Sequence, residues 1–189
     1  MSKLHRTTIV AHLLLSELIR EGDVVVDATA GNGYDTLFLA KLVGIRGKVY
    51  AFDIQEEALR NTRRILEENG CLAQVELIHD GHENLVRYVK EQVRCVMYNL
   101  GYLPGGDKSI ITQGATTISS LEQATQLLSE EGVISLMVYS GHPGGLAEAE
   151  EVENFVKALI SPPWHVLKWQ KINGTQRGPY LIVLYKRDK

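Results

Sequence analysis

Apolar and polar residues alternate along the chain with two spacings, one typical of amphipathic helices and the other typical of buried strands. An apolar face at helical spacing runs through residues 4–21 and comprises Ile9, Val10, Leu13, Leu14, Leu18 and Ile19. The segment DVVVDATAGNG comes next, with β-branched residues followed by small residues and glycines. This pattern predicts a buried strand that runs into a tight turn.

The same alternation continues to the end of the chain. Further strands are predicted at KVYAFDI, AQVELIHD, Val93–Tyr98 and Val133–Tyr139. The helices predicted between them cover Thr36–Leu42, Glu56–Asn69, Leu85–Glu91, Thr117–Glu130 and Ala147–Leu159, and three of these are predicted to end at Gly44, Gly70 and Gly132. Two closing strands, His165–Gln170 and Tyr180–Tyr185, flank the turn INGTQRG with no helix between them. We therefore predict one α/β domain over residues 1–189, with a mostly parallel sheet, helices on both faces and an antiparallel hairpin at the C-terminal edge.

Composition and charge narrow the class of protein. With 44% hydrophobic and 23% charged residues, the chain has the composition of a folded globular protein. A net charge of −3 and a pI near 6.1 argue against a uniformly basic nucleic-acid binder but are compatible with a local basic patch. Cys71 and Cys95 lack the spacing of a metal site or a disulfide framework, which is typical of a cytoplasmic protein. The apolar stretch Ile9–Ile19 is interrupted by His12 and two further polar residues, so no membrane span is expected.

Glycines and acidic residues follow the first two predicted strands. The turn DATAGNG resembles the start of a dinucleotide-binding fingerprint, but Thr36 stands where that motif has its third glycine. Asp53 ends the second strand, where a carboxylate accepts hydrogen bonds from both hydroxyls of a ribose. Asp27 ends the first strand and is expected to meet a cationic group of the ligand, although each acid is also suited to capping its own strand end. S-adenosylmethionine suits both acids, because it carries a ribose, a sulfonium and an ammonium but no phosphate.

The third and fourth predicted strands also end in polar residues. In HDGHENL, Gly81 and His82 are expected beside an adenine, although His82 is equally suited to capping the next helix. In NLGYLPGGDK, an amide, a phenol and a rigid proline follow a buried strand, where open α/β sheets place their ligands. The alternative interpretation of this second segment is a glycine-rich surface turn.

Taken together, these segments resemble a known family. The glycine turn, Asp53 and the loop after the fourth strand are similar to those of class I S-adenosylmethionine-dependent methyltransferases. More closely, DATAGNGYDT, AFDIQ, DGHENL, NLGYLPGGDK and GHPGG, in that order, resemble a bacterial family labelled "putative rRNA methylase". That family is associated with methylation of 5-aminomethyl-2-thiouridine at the tRNA wobble position. The resemblance covers almost the whole chain and implies a Rossmann-like seven-stranded sheet with its last strand antiparallel, S-adenosylmethionine as cofactor, a cytoplasmic location and a homodimer.

The resemblance also assigns roles to individual residues. It implies that six residues contact or flank the cofactor: Gly31, Asn32 and Gly33 in the first turn, Gln55 beside the ribose, and Gly81 and His82 near the adenine. Asn99 matches the first position of the Asp/Asn-Pro-Pro-Tyr motif of amino-methylating relatives, and Tyr102 matches its aromatic position. Leu100 and Gly101 replace the two prolines, so the path of the loop backbone differs from that motif.

Methylation of an amine requires a nitrogen lone pair aimed at the methyl carbon, whereas an alkylamine is mostly protonated at neutral pH. The amide oxygen of Asn99 is suited to orienting the amine, and Tyr102 to stacking on the uracil or lining the methyl channel. Asp35 and His142 are candidates for the proton acceptor, because both follow predicted strand ends. Proton transfer to water is the alternative, and His142 is equally suited to capping the next helix.

The expected partner is tRNA, with no membrane, no DNA and no metal involved. Basic residues of the tail favour a nucleic acid, together with Lys3 and Arg6 near the N-terminus: Lys168, Lys171, Arg177, Lys186, Arg187 and Lys189. An acceptor in rRNA or a small amine is the alternative substrate. A nucleotide-binding module without chemistry is the alternative class of protein.

Overall fold

Strands and helices alternate along the chain up to its last two strands. The computed structural model describes residues 7–107, 109–173 and 178–187. Its strands are β1 Val24–Asp27, β2 Lys48–Asp53, β3 Val75–His79, β4 Val93–Asn99, β5 Leu128–Val138, β6 Trp164–Trp169 and β7 Tyr180–Lys186. Its α-helices are α1 Thr7–Leu18, α2 Tyr34–Val43, α3 Glu56–Glu68, α4 Leu85–Tyr88, α5 Gly114–Leu127 and α6 Gly145–Ala158, with single 3₁₀ turns at Leu72–Gln74 and His82–Asn84. No helix within these described ranges is long and apolar enough to cross a bilayer.

The seven strands form one sheet in the order β3-β2-β1-β4-β5-β7-β6. Strands β1 to β5 are parallel, and β7 runs antiparallel to both β5 and β6. The predicted mostly parallel sheet with a C-terminal edge hairpin is confirmed. Part of the predicted turn INGTQRG, residues 174–177, lies outside the described residues. Because the strand order reverses between β1 and β4, the loops after these two strands diverge and leave a crevice.

Both faces of the sheet are covered, which explains the continuous apolar runs of its central strands. Val25 and Val26 are adjacent in β1, so their side chains point to opposite faces, and both are fully buried. Val25 packs in the cluster that includes Leu39 of α2, together with residues of α1 and α3. Val26 packs in the cluster that includes Leu121 of α5, together with residues of α4 and α6. The predicted placement of helices on both faces is therefore confirmed.

The predicted helix ends are correct at two of the three glycines. Gly44 and Gly70 follow α2 and α3 with φ of +63° and +66°, a conformation that favours glycine. The prediction for Gly132 is wrong, because α5 ends at Leu127 and Gly132 lies inside β5. The reason is burial: Leu128 is 2% exposed and pairs in the sheet with Val93, so the chain becomes extended before the glycine is reached.

Candidate active site

Two cavities open at the carboxyl ends of the parallel strands, on either side of the point where the strand order reverses. The larger, of about 640 Å³, is lined by the segments after β1, β4 and β5 and by residues of α1 and α2. The smaller, of about 230 Å³, is lined by the segments after β1, β2 and β3 and by the start of α5. Thr29 lines both cavities, so they are neighbours over the end of β1. This edge is where an α/β sheet of this topology binds ligands.

The turn after β1 separates the two cavities. Gly31 and Gly33 have φ of +53° and +82°, which explains why the sequence needs glycine there. A Cβ added at Gly33 would lie 2.7 Å from Cα of Thr62, so the turn is also in close contact with α3. The hydroxyl of Thr62 donates to the carbonyl oxygen of Gly31 at 3.1 Å and holds the turn in place.

Asp53 lies at the end of β2 and lines the smaller cavity, as expected from the sequence. Its Oδ2 accepts a hydrogen bond from the backbone N–H of Gly31 at 2.9 Å, and its Oδ1 accepts one from that of Gln55 at 2.9 Å. Burial raises the pKa of the Asp53 carboxyl above its ordinary value, while these hydrogen bonds oppose the shift. Gln55 contributes its backbone to this arrangement, and its side chain lines neither cavity.

Gly81 and His82 also line the smaller cavity. Nδ1 of His82 lies 3.1 Å from the carbonyl oxygen of Ala28, which can only accept, so Nδ1 carries the proton. Nε2 is then a lone-pair acceptor, and no polar atom of the described residues reaches it although it is buried. Burial lowers the pKa of His82 and keeps the ring neutral. An unpartnered acceptor of this kind requires a donor from a ligand or from solvent.

Asp27 is placed differently from the sequence expectation of a contact with the ligand. Its side chain is 1% exposed and lines neither cavity. Oδ1 accepts a hydrogen bond from the backbone N–H of Thr29 at 3.1 Å, and Oδ2 accepts one from the hydroxyl of Thr36 at 2.6 Å. Burial, and then the negative charge of Asp35, raise the pKa of Asp27 to about 7. The structure therefore places Asp27 beneath the turn, where it joins β1 to α2.

Asn99 and Asp35 meet at the wall of the larger cavity. The Nδ2 of Asn99 donates to Oδ2 of Asp35 at 2.9 Å, although the two residues are 64 positions apart. This hydrogen bond orients the amide, and its oxygen has no donor within the described part of the chain. The backbone N–H of Asn99 donates to the hydroxyl of Thr29 at 2.7 Å, which fixes the end of β4 against the turn after β1. Burial, and then the negative charge of Asp35, raise the pKa of Tyr139, which also lines the larger cavity.

His12 is a site residue that the sequence interpretation missed. It lies in α1, lines the larger cavity, and its Nε2 is 2.6 Å from Oδ1 of Asp35. Its ring stacks on Phe38 of α2 with a centroid distance of 3.9 Å and an angle of 7°. The available signal was a single imidazole within the apolar stretch of the first helix, which argued only against a membrane span.

The loop after β4 folds back over the turn after β1. Asn32 holds the two together, because its Nδ2 donates to the carbonyl oxygen of Pro104 at 3.0 Å and its Oδ1 accepts from Asn61 at 3.2 Å. The base of the loop is closed by Thr112, whose hydroxyl accepts a hydrogen bond from the N–H of Gly101 at 2.8 Å and donates one to Glu148 at 2.8 Å. Lys108, in the same loop, lies outside the described residues. The hydrogen bonds of the Asn32 side chain therefore fix the turn after β1 to the loop after β4 and to α3.

Tyr102 and His142 also line the larger cavity. Their rings meet edge to face with a centroid distance of 5.9 Å, and Tyr102 is 40% exposed. Nδ1 of His142 is bonded to the carbonyl oxygen of Pro143 at 3.0 Å. Its Nε2 is buried, has no partner among the described residues, and lies in close contact with Gly145. The structure therefore brings Asn99, Asp35, Tyr102 and His142 together around one cavity, as the sequence predicted.

The basic residues of the tail are less available than the sequence suggests. Lys168 is bonded to Glu153 at 2.7 Å and lies over the ring of Tyr180, and Lys186 donates to the carbonyl oxygen of Thr125. Lys171 and Arg187 are exposed. The other predicted contributors lie outside the described residues: Lys3, Arg6, Arg177 and Lys189.

Comparison with known proteins finds similarity along the whole chain. A family model described as "Putative rRNA methylase" matches residues 49–185. The chain is also 43% identical over 196 residues to a protein of Arabidopsis thaliana named "tRNA (mnm(5)s(2)U34)-methyltransferase, chloroplastic". That alignment covers 97% of this chain and 70% of the plant protein.

Two solved structures share both the fold and much of the sequence. One, described as a putative rRNA-methylase from Clostridium thermocellum, has a TM-score of 0.94 and 41% identity, over 96% of this chain and 97% of that one. The other, a putative methyltransferase from Streptococcus mutans in complex with SAH, has a TM-score of 0.89 and 39% identity, over 99% of this chain and 100% of that one.

Proposed function

The chain belongs to the family described as "Putative rRNA methylase", and from this premise we propose that it is an S-adenosylmethionine-dependent methyltransferase that modifies tRNA. The methyl acceptor is the amino nitrogen of 5-aminomethyl-2-thiouridine at the wobble position, and the product is 5-methylaminomethyl-2-thiouridine. The observation that carries the proposal is the hydrogen bond between Asn99 and Asp35 at the wall of the larger cavity. The 43% identity to the plant tRNA methyltransferase supports the choice of substrate.

The smaller cavity suits the adenosine half of S-adenosylmethionine. The buried, unpartnered Nε2 of His82 is an acceptor that matches the amino group of adenine, and the Asp53 carboxylate matches the two ribose hydroxyls. Gly81 offers the adenine a wall without a side chain. Gly31 lines the larger cavity without a side chain and so lets a ligand approach the backbone of the turn, whereas Gly33 lines neither cavity and packs against α3. The same cofactor is named in its demethylated form, SAH, in the description of the Streptococcus mutans structure.

The residues of the larger cavity suit an amine acceptor. Bound S-adenosylmethionine supplies an electrophilic methyl group on its sulfonium. The free amide oxygen of Asn99 accepts a hydrogen bond from the acceptor nitrogen and so aims its lone pair. Tyr102, which lines the same cavity and is partly exposed, stacks on the uracil ring.

The proton of the acceptor ammonium is transferred to Asp35 rather than to His142. Asp35 has one lone pair left on each carboxylate oxygen after its hydrogen bonds to His12 and Asn99. His142, by contrast, has Nδ1 bonded to a backbone carbonyl and Nε2 turned toward the backbone of Gly145. Its ring supports Tyr102 and the loop after β4.

Binding of tRNA requires a surface around the mouth of the larger cavity. Pro179 lines this cavity, so the start of β7, one arm of the β6–β7 hairpin, lies close to the cavity. Lys171, on that hairpin, is exposed and contributes a phosphate contact. The enzyme acts where its tRNA is found, which for a bacterial protein is the cytoplasm, whereas the plant relative is by name chloroplastic.

A homodimer is also part of the proposal. Strand β6 is the last strand in the order of the sheet, so its outer edge has no partner strand among the described residues. Leu167 and Trp169, on this strand, are 58% and 52% exposed. Pairing of two such edges would cover apolar surface and backbone groups together. Light scattering of the purified protein tests this state directly.

The experiment that tests the function is nucleoside mass spectrometry. In tRNA from a strain that lacks the gene, we expect 5-aminomethyl-2-thiouridine to replace its N-methylated form. Purified protein with S-adenosylmethionine should then restore the methyl group in that tRNA, and rRNA from the same strain should gain none. Methylation of rRNA alone, or binding of the cofactor without any transfer, would contradict the proposal in favour of an rRNA enzyme or a binding module.

A further inference from the structure

The hydrogen bond between His12 and Asp35 joins two helices at the wall of the larger cavity. His12 lies in α1 and Asp35 in the first turn of α2, and their side chains are 32% and 14% exposed. The His12 ring is held flat against Phe38 by stacking, so its Nε2 has a defined position. No residue of α1 is among the described residues that line the smaller cavity.

In the hydrogen bond between these two side chains, His12 is the donor and Asp35 the acceptor. An ionised carboxylate only accepts hydrogen bonds, so His12 Nε2 donates its proton to Oδ1 of Asp35. Asn99 donates to the other oxygen. The Asp35 carboxylate is therefore held by donors from a helix and from a strand. It also lies at the N-terminus of α2, where the backbone dipoles favour a negative charge.

We propose that His12 is a positioning residue that holds the Asp35 carboxylate ready to receive the proton of the acceptor ammonium. This inference rests on the proposed function, because it concerns an amine as methyl acceptor. It assigns to α1 a part in the reaction that is distinct from cofactor binding.

The reaction balances with the groups present. An N–H bond of the substrate ammonium breaks and an O–H bond forms on Asp35, which leaves a neutral amine and a neutral carboxylic acid. The freed nitrogen lone pair forms the new N–C bond to the methyl group, while the electron pair of the breaking C–S bond stays on sulfur. The product is a secondary ammonium ion, and Asp35 returns its proton to solvent after product release.

His12 contributes by keeping Asp35 in one orientation. Without the Nε2 donor, the mostly buried Asp35 carboxylate would lose one of the two hydrogen bonds that it accepts from the described residues, the one at Oδ1. The Asp35 side chain would then be held at Oδ2 alone, by Asn99, and its orientation toward the amine would be less well defined. Loss of a positioned group lowers the rate of the chemical step more than it lowers binding.

Two variants at position 12 separate the hydrogen bond from the stacking. His12→Phe keeps an aromatic ring against Phe38 but removes the donor. His12→Gln removes the ring but keeps an N–H donor at about the reach of Nε2. Methyl transfer is measured in a single turnover with saturating cofactor and tRNA, next to a calorimetric titration of S-adenosylmethionine and a melting curve.

We expect His12→Phe to reduce the single-turnover rate on the order of 10²-fold, the usual effect of losing one oriented polar contact. His12→Gln should recover most of that rate, and both variants should bind S-adenosylmethionine within about twofold of the wild type. Equal rates in the wild type and His12→Phe would overturn the proposal. A loss of cofactor affinity with an unchanged saturated rate would overturn it too, since His12 would then be a cofactor ligand. Equal impairment of both variants would show that the imidazole acts in some other way.

A measurement without RNA keeps this test independent of the proposed function. In protein labelled with ¹⁵N-histidine, we expect Nε2 of His12 to be protonated and its signal to shift in Asp35→Asn. If the wild-type protein does not methylate tRNA, the proposed function is contradicted. If Nε2 of His12 carries no proton, only the positioning role is contradicted.

Discussion

The carboxylate of Asp53 and the backbone N–H of Gly31 are joined by a hydrogen bond of 2.9 Å, so the end of β2 holds the turn that follows β1. Asp53 also accepts the N–H of Gln55, at the start of α3. One side chain therefore supports the glycine turn and forms a wall of the smaller cavity. A change at Asp53 is therefore expected to affect both the glycine turn and cofactor binding in the smaller cavity.

We predict that the protein binds S-adenosylmethionine and S-adenosylhomocysteine but not NAD. Asp53 and Asp35 line the neighbouring cavities, and their negative charges would repel a diphosphate but attract a sulfonium or an ammonium. Thr36 replaces the third glycine of the dinucleotide fingerprint and is fully buried against Asp27. Isothermal titration calorimetry with the three ligands tests this choice. Tight binding of NAD without heat from S-adenosylmethionine would show that the assignment is wrong.

Replacement of Asp53 by alanine should weaken S-adenosylmethionine binding by roughly 1.5–3 kcal/mol, the range for hydrogen bonds to a charged group. The melting temperature should also fall, because Gly31 and Gln55 lose an acceptor for their backbone N–H groups. Glu76→Ala is the matched control, since Glu76 is an acid of the adjacent strand that pairs with Lys48 at the surface. If Asp53→Ala binds the cofactor as tightly as Glu76→Ala, the ribose contact is refuted.

Asn99→Ala should retain cofactor binding while losing methyl transfer, on the order of 10²-fold in single-turnover rate. The physical reason is that the amide oxygen acts on the acceptor nitrogen, and an interaction made mainly in the transition state affects turnover more than binding. Hypomodified tRNA is the substrate, and a melting curve and a cofactor titration accompany the assay. A structural role in the β4 turn alone predicts the opposite, with a lower melting temperature and nearly normal transfer per folded molecule.

Gly33→Ala should destabilise the protein more than Gly70→Ala. Both glycines have positive φ, so each alanine carries a backbone strain of about 1–2 kcal/mol. A Cβ at Gly70 meets no atom within 4 Å, whereas one at Gly33 would lie 2.7 Å from Cα of Thr62. Denaturant unfolding of the two variants measures the difference, which isolates the contact between the glycine turn and α3. Equal losses of stability would mean that this contact relaxes freely.

The buried carboxyl of Asp27 predicts a pH dependence of stability. Its pKa is raised in the folded state from 3.8 to about 7, first by burial and then by the charge of Asp35. Between these values the folded protein holds a proton that the unfolded chain releases, so the contribution of Asp27 to stability falls as the pH rises from about 4 to 7.

Asp27→Asn removes this titration while keeping polar atoms for Thr29 and Thr36. From pH 5 to pH 8, the stability of the variant should rise relative to the wild type by about 2–4 kcal/mol, in line with the raised pKa. Urea denaturation at the two pH values provides the comparison. A difference between the two proteins that does not change with pH would contradict the assignment of this proton.

The site residues that could be predicted from the sequence are those that lie at the carboxyl ends of the predicted strands. Asp53 and Asn99 each close a buried run, and the carboxyl ends of parallel strands meet at one edge of a sheet, so their neighbourhood follows from local pattern and topology. Gly31 and Gly33 were predictable for a similar reason, because a tight turn with positive φ needs glycine whatever packs around it.

Which side chains pair depends on how elements distant in the chain pack together. His12 reaches Asp35 because α1 and α2 lie on the same face of the sheet, with Leu15 and Leu39 in a common cluster. The burial of Asp27 and the early end of α5 at Leu127 depend in the same way on what covers them. Such outcomes are set by contacts between segments far apart in the chain, whose energies no local pattern of residues contains.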